Sequence, residues 1–246
     1  MREMAGAFGW GLLAASSLVL GALVALAFPT SRRVIGLVMG FGSGVLISAV
    51  SFDLVQEAAA KSTGHGALVG GLFAGCLVFF GGDVLIERFG GGDRKDTGGD
   101  QQSGSPLAIV LGTVLDGIPE SMVIGLTIFQ GGEVGAAYLV AVFVSNLPEA
   151  IGSTTGLVSA GWRRSRIVWM WVAIMVVSGL ASAAGYGLFQ SSSPEVVAFV
   201  LTFAAGAILT MLANTMMPEA YDEGGRWVGV ATTLGFAVAY AIHLLD

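Results

Sequence analysis

Charge, cysteine and histidine are all scarce in this chain of 246 residues. Only 11% of them are Asp, Glu, Lys or Arg, under half the roughly 25% usual in a soluble domain, which excludes an ordinary water-soluble globule. The 11 Lys and Arg against 17 Asp and Glu leave a net charge of −6, so there is no basic field to attract nucleic acid. Cys76 is the single cysteine, and it sits in an apolar run. That excludes a disulfide framework and a cysteine-based metal site. The two histidines, His65 and His243, have no His, Cys or acid at ligand spacing and read as bland.

What the chain has in abundance is apolar length. Hydrophobic residues make up 54%, glycine supplies 38 positions, and the mean hydropathy is +0.81. A bilayer core about 30 Å thick needs roughly 20 mostly apolar residues in a helix. Eight segments meet that need, at about 7–28, 34–60, 66–89, 106–130, 133–160, 167–189, 195–220 and 226–245. The expected fold is therefore all-α and integral to the membrane, a single transmembrane domain over 1–246 with eight spans. The stretch 90–105, GGGDRKDTGGDQQSGS, has nothing apolar to bury and reads as a flexible loop between helices 3 and 4. Runs such as Gly40-Phe-Gly-Ser-Gly44 and Gly70-Gly71 with Gly75 favour close helix contacts.

Loops rich in Lys and Arg stay in the cytoplasm. With eight spans, one side carries Arg32, Arg33, Arg88, Arg94, Lys95, Arg163, Arg164, Arg166 and Arg226, and the other only Arg2 and Lys61. This places both termini outside and the 90–105 loop in the cytoplasm. Ala25-Leu26-Ala27 could serve as a signal-peptide cleavage site. The apolar run before it is longer than such a signal, and the Arg pair follows it, so the first helix is expected to be retained.

Acidic residues inside a membrane helix are costly and mark function by default. Helix 2 carries Asp53 and Glu57, helix 3 Asp83 and Glu87, helix 4 Asp116 and Glu120, helix 5 Glu149 and helix 7 Glu219. Four of these helices share a pattern when aligned on the glutamate: Asp53-Leu-Val-Gln-Glu57, Asp116-Gly-Ile-Pro-Glu120, Ser145-Asn-Leu-Pro-Glu149 and Thr215-Met-Met-Pro-Glu219. Such internal repetition suggests related halves.

Helices 4 and 5 have the more specific chemistry. Residues four apart share a helical face, so Asp116 lies with Glu120 and Ser145 with Glu149. Pro119 and Pro148 cannot donate to the carbonyls of Leu115 and Val144. Carbonyls freed at membrane depth are tolerated where they line a cavity, and oxygen ligands on facing helices describe a divalent-cation site.

Pro119-Glu120 and Pro148-Glu149, set in an eight-helix chain whose longest loop lies between helices 3 and 4, resemble the ZIP (Zrt/Irt-like) divalent metal transporters. Those proteins show His-Asn-x-Pro-Glu-Gly on helix 4 and His-x-x-Pro-Glu-Gly on helix 5. The resemblance implies a substrate ion held by Glu120 and Glu149, with Asp116 and Ser145 where the family often has His. A second, bridged metal position would use Gly117 and Asn146. Gly117 has no side chain to donate, and segment 167–189 has no acid, Ser178 being its nearest polar candidate. A single site is expected, drawn from Asp116, Glu120, Ser145, Asn146 and Glu149, with Asp53, Glu57 and Glu219 as pathway candidates. The resemblance also implies a homodimer in which helices 1, 4, 5 and 6 move against 2, 3, 7 and 8.

No permanent cofactor is expected. The transported substrate would be Zn²⁺ first, with Mn²⁺, Fe²⁺ or Cd²⁺ as rivals, since an all-oxygen site loosens the preference for zinc. Three carboxylates carry one charge more than a divalent ion balances, so one of them is expected to keep or exchange a proton. The expected partners are the lipid bilayer, the metal and a second copy, and the expected location is the plasma (inner) membrane. The rival readings are an intramembrane enzyme of the aspartyl-protease type, drawing two of Asp53, Asp83 and Asp116, and a metal-sensing membrane protein. Gly81-Gly82-Asp83 lacks the spacing of the protease motif. Asp83 and Glu87 beside Arg88 read as local charge pairing near the end of helix 3.

Overall fold

The computed structural model describes residues 2–28, 31–88, 106–129 and 136–245. The 90–105 loop lies outside the described residues. Among those described there are helices and no strand, and a helix satisfies its backbone with its own hydrogen bonds, as a chain crossing lipid needs. Helix α1 is Arg2–Ala27, and α2 runs Arg32–Ala49, then as a π-helix over Val50–Gln56, then Glu57–Lys61. Next come α3 (His65–Arg88), α4 (Pro106–Phe129), α5 (Ala136–Ser159) and α6 (Arg164–Phe189). Helix α7 runs Pro194–Met211, becomes π-helical over Leu212–Met216 and continues as Met217–Gly224; a 3₁₀ turn at Gly225–Trp227 leads into α8 (Val228–His243).

The ends of these helices follow local chemistry. Ser31 caps α2 by accepting from the Val34 amide at 3.3 Å, and Ser193 caps α7 just before Pro194, which needs no amide partner in the first turn. Gly225 breaks the direction between α7 and α8 at φ +65°, in the left-handed region that glycine enters without steric cost.

Among the described residues, six helical stretches are long and apolar enough to cross a membrane: Glu3–Ala27, Arg32–Lys61, His65–Arg88, Val110–Thr127, Arg164–Phe189 and Pro194–His243. The last contains both the seventh and the eighth expected segments. Large apolar side chains such as Phe73, Leu77, Trp169 and Leu188 face outward, the opposite of a soluble protein and the arrangement that lipid solvates.

The most extensive contacts join α3 to α7, α1 to α6, α2 to α8, α4 to α6 and α1 to α5. The helices thus fall into two groups, α1, α4, α5, α6 and α2, α3, α7, α8. They meet chiefly where α2 packs on α5 and α4 on α7. Within each group glycines bring backbones together, the expected Gly44 and Gly75 and also Gly125. A Cβ on Gly44 would lie 1.9 Å from the Thr232 carbonyl oxygen, one on Gly75 1.9 Å from that of Phe203, and one on Gly125 1.8 Å from that of Ser182. No side chain fits at those spacings, so small residues set the packing where lipid offers no hydrophobic drive.

Candidate functional site

All five expected site residues are buried: Glu120 at 2% exposure, Ser145 at 3%, Asp116 at 4%, Glu149 at 7% and Asn146 at 8%. Insertion of a carboxylate at the centre of a lone membrane helix costs about 3 kcal/mol. Here α4 and α5 withdraw three of them from lipid into the bundle. Both helices stay continuous through Pro119 and Pro148.

Neighbouring helices crowd this seam through small residues. A Cβ on Gly42 of α2 would meet the Ser145 Cα at 3.2 Å and the Val144 carbonyl oxygen at 3.6 Å, so α2 lies directly against the carbonyl that Pro148 frees. The Met216 methyl of α7 reaches the same point, 3.1 Å from that position. A Cβ on Gly21 of α1 would come 2.6 Å from the Leu147 carbonyl oxygen on another flank. Where Gly117 lacks a side chain, Ser178 of α6 fills in, its Oγ 3.7 Å from the Cβ position.

The Ser145 hydroxyl donates to the Val142 carbonyl at 3.0 Å, which leaves its oxygen lone pairs for a cation. The Tyr138 hydroxyl on α5 donates to the Glu120 carbonyl on α4 at 3.4 Å. Direct contact between α4 and α5 is otherwise slight beside their packing on α6 and α1. Among the described residues no three His, Cys, Asp or Glu side chains converge tightly enough to hold a metal.

The pathway candidates scatter. Asp53, in the π-helical turn of α2, pairs through Oδ1 with Nδ1 of His243 at 2.8 Å. Phe52 stacks on the same imidazole with ring centroids 5.4 Å apart. His243, which read as bland, is thus the residue that sequence reasoning missed. It stands 190 positions from Asp53, and no local spacing signals that pairing. Glu57 forms a partly exposed ion pair with Lys61 four residues on, at 2.9 Å, of the kind worth under about 1 kcal/mol. Glu219 is half-buried on α7. Asp83 is buried at 4% exposure while Glu87 and Arg88 are exposed, so Asp83 belongs to the interior rather than to a solvated helix end.

Both π-helical turns fall on the repeated acidic pattern. Val50–Gln56 contains Asp53 and ends one residue before Glu57; Leu212–Met216 contains Thr215 and ends before Pro218-Glu219. Such turns concentrate at functional sites in helices, and in α7 the wide turn accommodates a proline that cannot donate to the Asn214 carbonyl.

No protein-family model matches the chain. A curated relative does: the zinc transporter ZTP29 of Arabidopsis thaliana is 27% identical over 254 aligned positions, which take in 91% of this chain and 88% of that protein. Over nearly its whole length the chain is therefore similar to a zinc transporter, which supports the ZIP-type resemblance carried by Pro119-Glu120 and Pro148-Glu149.

Proposed function

We propose that this protein carries a divalent transition-metal cation, zinc first and manganese or iron next, across the membrane toward the cytoplasm. The observation that carries the reading is the burial of Asp116, Glu120, Ser145, Asn146 and Glu149 on two successive proline-interrupted helices of an otherwise apolar bundle. Carboxylate, hydroxyl, amide and carbonyl oxygens are the donors a divalent ion takes. The similarity to a zinc transporter supports the same conclusion.

In this reading the ion closes the seam. Asp116, Glu120 and Glu149 are drawn together around it, with Ser145, Asn146 and the Val144 carbonyl completing the shell. The division of helices into two groups supports movement of α1, α4, α5 and α6 past α2, α3, α7 and α8, in an eight-span chain with both termini outside. The working unit is a homodimer in the plasma membrane, and the protein acts as a carrier, not an enzyme.

Proteoliposomes of the purified protein test this directly, with Zn²⁺, Mn²⁺, Fe²⁺, Cd²⁺ and Mg²⁺ compared. Wild type should take up transition metals and exclude Mg²⁺. Glu120→Ala and Asp116→Asn should each lose uptake while keeping their helical spectrum. A ligand contributes at least as much as the outer partners that orient it, so each should weaken zinc binding more than about tenfold. Equal traces with and without protein for every metal would sink the proposal.

A further inference from the structure

Tyr138 has no part in the ligand set, yet it is 1% exposed and lies on α5 more than two turns before Glu149. A buried phenol needs a hydrogen-bond partner. Tyr138 finds one on the other site helix, in the main chain of Glu120 itself. The bond is long at 3.4 Å, against about 2.8 Å for a well-formed O–H···O contact. The bond is thus stretched where the two site helices face each other. It shortens by the approach of α4 to α5, which touch each other only slightly in this conformation.

We infer that Tyr138 is a positioning residue, whose hydroxyl bond to the Glu120 carbonyl tightens when α4 and α5 close on the cation and so sets the register in which Glu120 meets it. The inference rests on the proposed metal-carrying function. A bond equally strong with and without the ion would contribute stability and leave affinity untouched, because a ligand senses only differences between states. A bond that strengthens on closure appears in the affinity.

The test uses the full chain in detergent and in proteoliposomes, with zinc chloride as probe. Tyr138→Phe keeps the ring and removes the hydroxyl. It should weaken zinc binding by roughly two- to tenfold, the range of one neutral hydrogen bond, and raise the KM for uptake without lowering the maximal rate. An unchanged affinity overturns the inference, whatever happens to the unfolding temperature. If the variant does not fold, 3-fluorotyrosine placed at position 138 by codon reassignment supplies the readout. Its fluorine resonance should shift on zinc addition, and a resonance that stays still overturns the inference. Wild type that neither binds nor carries zinc refutes the function itself. A Tyr138→Phe protein that matches a zinc-binding wild type refutes only the role of the hydroxyl.

Discussion

Nδ1 of His243 lies 2.8 Å from Oδ1 of Asp53, tying the last turn of α8 to the π-helical turn of α2. The pair is partly open, with side-chain exposures of 29% and 16%, so water and ions reach it. It also presents a nitrogen beside a carboxylate, a combination that the all-oxygen seam of α4 and α5 lacks.

His243→Ala should therefore act on delivery rather than on holding. Uptake at low zinc concentration should fall several-fold, while equilibrium zinc binding by the solubilised protein stays as in wild type. The stability cost should be under about 1 kcal/mol, as for partly exposed ion pairs, read as a shift of at most a few degrees in the unfolding midpoint. An unchanged uptake rate would restrict Asp53 and His243 to a structural role.

The close approach of α4 and α6 gives a sharper stability prediction. A methyl group on Gly125 would sit 1.8 Å from the Ser182 carbonyl oxygen and 2.8 Å from the Tyr186 nitrogen, both backbone atoms that cannot swing away. Gly125→Ala should cost about 1–3 kcal/mol, the usual penalty of overpacking, measured as a lower unfolding temperature in detergent. Gly81→Ala is the matched control, since nothing lies within 4 Å of its Cβ position. It should unfold with wild type.

Between α5 and α6 a polar bond is buried: the Trp171 indole N–H donates to the Thr154 hydroxyl at 2.8 Å, with both residues fully enclosed. Thr154→Val keeps the shape and strands the indole donor, which costs about 1–3 kcal/mol. The unfolding midpoint should fall and the Trp171 fluorescence should change. Equal midpoints for variant and wild type would show that the indole finds another acceptor.

The helical layout was legible because lipid imposes a length: the apolar runs around Arg32, His65, Arg164 and Pro194 could hardly be anything other than long helices. The burial of Asp116, Glu120, Ser145, Asn146 and Glu149 was legible for a related reason, since their four-residue spacing puts each pair on one face and charge at that depth must turn inward. The link between Asp53 and His243 was not, because contacts between distant helices leave no period in the sequence. The ion pair of Glu57 with Lys61 follows the four-residue rule and so was within reach of the sequence. The long bond from Tyr138 to Glu120 was hidden for a different reason: residue spacing fixes faces, not the distance between two helices.

Where an α-helix widens into a π turn, each amide reaches one residue further back and a main-chain oxygen is left over. Val50–Gln56 and Leu212–Met216 do this in α2 and α7, and Pro119 and Pro148 do it by another means in α4 and α5. Four helices, two from each group, are consequently weakest against bending where they carry the acidic pattern. The scaffold has a compliant waist between stiffer ends, so strain from any relative motion of the two groups concentrates around the acidic residues and spares the glycine-packed contacts beyond them.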